Sequence, residues 1–524
     1  MKRLKMLLAA ASALLVVVTA ADAATLKWGA ARDIDSLDPY SFGSTFTLAF
    51  LNHIYEGLTR YDENLKLAPS LAESWEVVEP TVWRFKLRHG VKFHNGDDFT
   101  ADDVVASLKR VSDEASPLKG NLPAYKDARK IDDYTVEIVL KSSYPLLAND
   151  LTNIFIFSKK WLVSNNSERP TDVAKGVEGY ATHHANGTGP FMLESRQTDA
   201  TTVLVVNPKW WDKPKHNVTR IEFTPIASAP TRVAALLSGD INYTESAPLQ
   251  DIERLKASGA IKVLLSNELR TVFFAMNLGD KLVGSDITDK NPLKDPKVRN
   301  ALYQSLDMGL MQKKVMRGLS RTTGALVAPA IPGYNEELDK RPPVDVEGAK
   351  KLLAEAGYPN GFSLSLLCST DSYVNEEQIC QSAASMWARI GIKANITSGP
   401  RSIINPRRVK GDFDITTLGW ANEPALDAYS LLIQVVHSKS GSAGLFNWAN
   451  WGDQRIDALV DKSAGELDSA KRVPMLTEAM KIAKDETLFL PLHQQPMAWA
   501  IGEGVSSVIQ LPDNKARHWF TQMK

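Results

Sequence analysis

Residues 71–110, LAESWEVVEPTVWRFKLRHGVKFHNGDDFTADDVVASLKR, read as an alternating strand, a tight polar turn and a helix with an acidic start. Trp83, Phe85 and Leu87 fall on one face while Arg84, Lys86 and Arg88 fall on the other, the two-residue period of a half-buried sheet. Asn95-Gly96-Asp97 supplies the turn, because Asn and Gly tolerate positive φ. Thr100 is placed to cap the helix, with Asp102 and Asp103 in the first turn, where the dipole favours negative charge. This local physics predicts an α/β chain and names no function.

Beyond this stretch the chain is mixed α and β without regular βαβ alternation. Residues 131–140 form a second alternating strand, and residues 201–206 a β-branched run ending at Asn207-Pro208. Residues 221–225 read as another strand, followed by an amphipathic helix (APTRVAALLSGD) that Gly239 can terminate. At the N-terminus Lys2, Arg3 and Lys5 precede an apolar run over residues 6–18, and Ala21-Asp22-Ala23 offers a cleavage site. Residues 1–23 are therefore predicted to be a signal peptide, with the mature chain starting near Ala24. The run is short for a membrane span, which needs about 20 residues, and it contains no Cys for lipid attachment. A periplasmic location follows as an expectation.

The 61 basic and 61 acidic residues balance, and losing the leader removes only three bases and one acid. Such a chain carries no electrostatic footprint for nucleic acid or an anionic membrane. Its 524 residues exceed what one core organises, so two or more domains are expected. The two cysteines are Cys368, ending the strand-like FSLSLLCS, and Cys380, in the following helix. An even count in an oxidising compartment predicts a disulfide, worth about 3 kcal/mol for a loop of the ~15-residue class; two buried free thiols are the alternative.

An enzyme is the rival class, and its chemistry is missing. No G-x-S-x-G, H-E-x-x-H or Walker-type motif occurs, and Gly187-x-Gly189 lacks the third glycine of a dinucleotide loop. Ser116-Pro117-Leu118-Lys119 fits S-x-x-K only formally, since S-D-N and K-T-G are absent. His183 and His184 are adjacent in a loop with no further ligand at metal spacing, so solvated histidines are expected rather than a metal site.

The wording of several segments carries more. The opening stretch, Gly187-Thr188-Gly189-Pro190-Phe191, residues 207–242 (NPKWWDKPKHNVTRIEFTPIASAPTRVAALLSGDIN), DPKVRNALYQSLDMGLMQKKVM, DVEGAKKLLAEAGYPNGFSLSL and FDITTLGW occur in one order. Together they resemble the family 5 extracellular solute-binding proteins, the dipeptide, oligopeptide and nickel binders of bacterial ABC importers. The similarity runs from about residue 26 to PLHQQPMAWA near the C-terminus. The resemblance implies a two-lobed α/β clamshell of the large type II form, with the chain crossing between lobes twice. Lobe 1 would combine residues 24–67, 186–270 and 491–524, with an extra domain at 68–185. Lobe 2 would be residues 271–490, and the crossings would lie near TVFFAMNL and LFLPLHQQ.

It also implies a site. Peptide binders of this family have a Gly-Trp pair followed by an acid that holds the ligand's ammonium group; here the segment is Gly419-Trp420-Ala421-Asn422-Glu423. Glu in place of the usual Asp sets the charge one methylene further out, and Pro424-Ala425-Leu426-Asp427 departs from the pattern. Trp420 would wall the cleft, and Gly419 would leave backbone groups open for a peptide. Many dipeptide binders place an Arg for the ligand carboxylate in the loop after FSLSLLCS. That loop here is Thr370-Asp371-Ser372-Tyr373, so Arg408 is the expected replacement, with Arg401 and Arg407 competing. Tyr373 and Asn375 would line the pocket, and His493 and Gln494 would lie near the second crossing.

The implied role is capture of a small ligand by lobe closure, and delivery to a permease and ATPase complex in the inner membrane. The chain would act as a monomer and without a cofactor. A di- or oligopeptide is the leading cargo; a nickel chelate, glutathione, an opine or an oligosaccharide is the alternative.

Overall fold

The alternation around Trp83 builds a strand, Val82–Leu87, with Trp83, Phe85 and Leu87 all buried. A computed structural model describes residues 24–524, so the predicted signal peptide at 1–23 lies outside the described residues. Val82–Leu87 sits inside a four-stranded antiparallel sheet between Ala72–Glu79 and Thr135–Leu140, with Tyr125–Asp132 at the far edge. Residues 131–140 are therefore not one strand. The Tyr134 N–H donates to the Asp132 carboxylate at 2.8 Å, closing an Asx turn that splits the run into a hairpin.

The helix Ala101–Val111 follows the turn as its residues dictate. The backbone N–H of Thr100 donates to Asp103 at 2.8 Å, and Asp102 pairs with Lys130 and Lys159. Arg110, at the helix end, is buried and grips Asp38 with two bonds of 2.6 and 2.5 Å. That pair fastens this region to the segment after the first strand. Breaking one partner of a buried pair of this kind costs about 3–5 kcal/mol, because the other charge is left without a counter-ion.

The main sheet has eleven strands, counting the two-residue Arg321–Thr322 that pairs with Gln494 and His493, and unites two lobes. One wing runs Phe191–Gln197, Thr201–Val206, Arg220–Pro225, Thr25–Ala30 and Tyr243–Thr244; the other runs Lys393–Gly399, Ser363–Ser369 and Ile415–Trp420. Between the wings lie two long antiparallel strands, Lys262–Met276 and Phe489–Ile501, which pair along most of their length. The first meets Ile415–Trp420 only through Thr271 to Met276, and the second meets Tyr243–Thr244 only through Ala500 and Ile501. Each long strand thus begins in one lobe and ends in the other, so the chain crosses twice. The ladder between them shifts register between Asn267 and Thr271, on the near side of the expected TVFFAMNL crossing.

Cys368 and Cys380 are joined by a disulfide, their Cα atoms 6.7 Å apart. It ties the Ser363–Ser369 strand to the Glu376–Ala388 helix. The amphipathic helix at Ala229–Ser238 ends at Gly239, whose φ of +82° suits a residue without a Cβ.

Candidate functional site

The two crossing strands carry the first group of candidate residues. Thr271 lies directly opposite both Trp420 and Gln494, so the three side chains share one face of the sheet. Thr271 Oγ1 and Gln494 Nε2 are buried without a hydrogen-bond partner, as are both ring nitrogens of His493. Burial pushes the His493 pKa down to about 4, so the ring is neutral. An unpaired buried polar group costs about 1–3 kcal/mol; Thr271 and Gln494 share one face, whereas His493, next to Gln494 in its strand, points to the other.

The loop leaving Ile415–Trp420 forms a wall. Gly419 is close-packed: a Cβ there would lie 2.6 Å from Tyr373 Cε1 and 3.2 Å from Arg270 Cδ. The Gly419 N–H donates to the Tyr373 hydroxyl at 2.7 Å, and its carbonyl faces Arg270 Nη1 at 3.4 Å. The expectation that Gly419 leaves its backbone open is therefore corrected, because a tyrosine and an arginine of the chain itself take up those groups. Trp420 is half-buried, donates to Ser430 Oγ at 3.1 Å and rests against Phe446. Asn422 is wholly buried with neither amide atom partnered.

Glu423 meets Lys515 of the C-terminal tail at 2.8 Å, both side chains being about nine-tenths buried. Burial pushes the Glu423 pKa up, and the ammonium of Lys515 pulls it back. Two further pairs flank this one. Asp513 holds Arg517 through bonds of 2.9 and 2.5 Å, and Glu268 holds Arg270 at 3.0 Å. Gln495 ties the last pair down, donating to Glu268 at 2.6 Å while accepting from the Val374 N–H at 3.0 Å. The three pairs sum to zero charge. Beside Lys515 opens a recess lined by Glu56, Arg60, Tyr61, Trp210 and Arg517 among others. Another recess, around Tyr303, Val327 and Met480, shares no lining residue with it.

Of the residues singled out in the sequence, Gly419, Trp420, Glu423 and Tyr373 come together at this wall. Two do not join them. Arg408 is 2 % exposed and commits every guanidinium nitrogen internally, to Thr416, Asn405, Glu376 and Thr417. It is the counter-ion of the buried Glu376 rather than a free cation for a ligand carboxylate. Asn375 donates to the Val315 carbonyl at 2.9 Å and starts the Glu376–Ala388 helix in a left-handed conformation, a structural task. The adjacent histidines lie not in a loop but at the end of the helical turn Tyr180–His183, and both are occupied: His183 meets Glu178, and His184 stacks on Tyr180. Sequence reading missed Lys515, Arg270, Thr271 and Asn422. Position was the signal for three of them, since Thr271 and Arg270 sit on a crossing strand and Asn422 adjoins Glu423; Lys515 had none.

Residues 66–443 match the family described as bacterial extracellular solute-binding proteins, family 5 Middle. This chain belongs to that family, the solute-binding components of ABC importers, whose members are periplasmic. It is 28% identical over 490 residues to the glutathione-binding protein GsiB of Shigella flexneri serotype 5b, covering 91% of this chain and 90% of that one. It is 26% identical over 484 residues to heme-binding protein A of Haemophilus influenzae, covering 88% and 85%. The structure of HbpA2 from Haemophilus parasuis superposes with a TM-score of 0.79 at 26% identity, covering 95% of this chain and 100% of that one. Among the described residues no helix is long and apolar enough to cross a membrane.

Proposed function

We propose that the cargo is a short peptide or a peptide derivative that presents an ammonium group to Glu423. One observation carries this reading: Glu423 stands at the wall with Gly419, Trp420 and Tyr373 and is matched there to an ammonium group, that of Lys515 at 2.8 Å, whose place a ligand's ammonium would take. A carboxylate in a water-poor cleft attracts such a group far more strongly than it would in water. The glutathione-binding relatives support it, since glutathione is a peptide with a free ammonium group.

In this reading residues 1–23 are a cleaved leader and the mature monomer works in the periplasm. Lobe 1 comprises residues 24–67, 186–270 and 491–524, residues 68–185 form the added domain, and 271–490 form lobe 2. The ligand favours closure through its greater affinity for the closed state, and the inner-membrane permease and ATPase receive it from that state. The chain carries its ligand without chemical turnover.

A thermal-shift screen of ligand-stripped protein tests the cargo class, with di- to pentapeptides, glutathione, nickel chelates, opines and oligosaccharides. A ligand at one hundred times its dissociation constant adds about 2.7 kcal/mol to stability. Glu423→Gln should weaken peptide binding more than tenfold; an unchanged dissociation constant would remove Glu423 from the ammonium site.

A further inference from the structure

The recess around Tyr303 shares no residue with the wall that carries Glu423 and Trp420. The helix Pro296–Gln304 brings Tyr303 to it, and the helix Ser469–Asp485 brings Met480, Ala483 and Lys484. Phe489 and Pro491 come from the second crossing strand. Most of the lining is apolar, with Ala325, Val327, Leu338, Met480, Ala483 and Phe489. The polar side chains around it are committed elsewhere, with one exception. Lys484 donates to the carbonyls of Leu338 and Lys340, each at 2.7 Å. The Asn335 side-chain oxygen accepts from the Glu337 N–H at 2.8 Å, and the Thr487 hydroxyl donates to Asn300 at 2.9 Å. Tyr303 is the exception: the residue is 6% exposed, and its hydroxyl is buried without a partner. A buried tyrosine hydroxyl ordinarily has one.

We propose that this recess is a second binding site, separate from the cargo cleft, for a small uncharged molecule with an apolar body and one carbonyl oxygen that accepts from the Tyr303 hydroxyl. Water alone completes that hydroxyl poorly, because a buried water needs about two to four polar partners and the surrounding walls are apolar. An apolar body covers those walls, and its oxygen meets the one free donor. The Arg341 guanidinium lies 4.6 Å from the centre of the Tyr303 ring, where its charge favours the hydroxyl as a donor. Burial keeps that hydroxyl protonated by raising its pKa, against the pull of Arg341. A charged ligand is disfavoured, since Lys484 and Arg341 are both committed to backbone carbonyls, Arg341 to those of Thr323 and Pro491. Phe489 and Pro491 belong to the strand that carries His493 and Gln494, so the occupant rests on one of the two strands by which the lobes are joined.

The test is NMR of the full-length mature protein with isotope-labelled methionine methyl groups, the Met480 signal being assigned with Met480→Leu. The probes are cyclopentanone and methylenecyclopentane, which differ only in an oxygen for a CH2. Cyclopentanone should shift the Met480 methyl and bind about fivefold more tightly than the hydrocarbon, the effect of one hydrogen bond. Tyr303→Phe should erase that preference while both probes still bind. Ala483→Leu, which fills the recess, should remove the Met480 shift with both. Equal affinity of wild type for the two probes overturns the proposal without any variant having to fold. No Met480 shift at millimolar cyclopentanone also overturns it, leaving a void that takes water only. A preference for the ketone that survives Tyr303→Phe removes the hydroxyl from the site and sinks the assignment.

Discussion

The Tyr61 hydroxyl donates to the Pro424 carbonyl at 2.8 Å, joining the Thr59–Tyr61 strand to the loop that carries Glu423. The same hydroxyl accepts from Asn149 at 3.0 Å, which fixes its direction. Tyr61→Phe keeps the ring and removes that bond, worth about 1 kcal/mol. Closure should become less favourable, with cargo affinity falling about fivefold and the ligand-free radius of gyration rising. Titration calorimetry and solution scattering would register the two effects; no change in either would make the contact incidental.

Gly419 should tolerate no side chain. A Cβ there meets the Tyr373 ring, which is anchored through its hydroxyl to the Gly419 N–H. Gly419→Ala is expected to cost about 1–3 kcal/mol through overpacking and to weaken cargo binding. Adding Tyr373→Ala should recover part of the stability, a coupling that a double-mutant cycle measures.

Arg408 offers a contrast. Arg408→Met strands the Glu376 carboxylate in the interior, so stability should drop by about 3–5 kcal/mol while cargo affinity of the folded fraction stays unchanged. Denaturant melts alongside calorimetry separate the two. A loss of affinity at constant stability would return Arg408 to the cleft.

Stability should also fall with rising pH above neutrality. Burial raises the pKa of Asp150 to about 8 and those of Glu56 and Glu245 to about 7. The folded form thus holds protons that the unfolded chain gives up near pH 4, and stability declines across the window from there to about pH 8. His53 and His493, lowered to about 4 by burial, act oppositely but only below about pH 6.5. Between pH 6.5 and 8 the carboxyls act alone, and Asp150→Asn should flatten the melting-temperature profile there. A slope identical to wild type would contradict the raised pKa.

Much of the fold was legible where physics is local. Trp83, Phe85 and Leu87 announced their strand by alternation, and Thr100 with Asp103 announced the helix start. The hairpin at Asp132 was overlooked because its flanking strands share one alternating pattern. Phe489–Ile501 is buried at every position, so periodicity could not show which of its residues face the cleft. Arg408 misled because three arginines stand close together in sequence, while the partner that claims it, Glu376, arrives from another helix. Nothing local marks Lys515 as the companion of Glu423, since that meeting exists only once both lobes and the tail are assembled.

The placement of the first strand bears on the order in which the molecule can be made. Thr25–Ala30 is clasped between Tyr243–Thr244 and Arg220–Pro225, both of which leave the ribosome much later. The lobe is then sealed by the final residues, with His518 donating to His53 at 3.1 Å and Asn217 exchanging two bonds with Met523. Such non-local pairing is slow to form. Removing the residues after 511 should leave Trp28, 1% exposed in the whole chain and packed on His518, open to fluorescence quenchers. A chain whose first strand waits for its last residues cannot complete this lobe until its synthesis has ended.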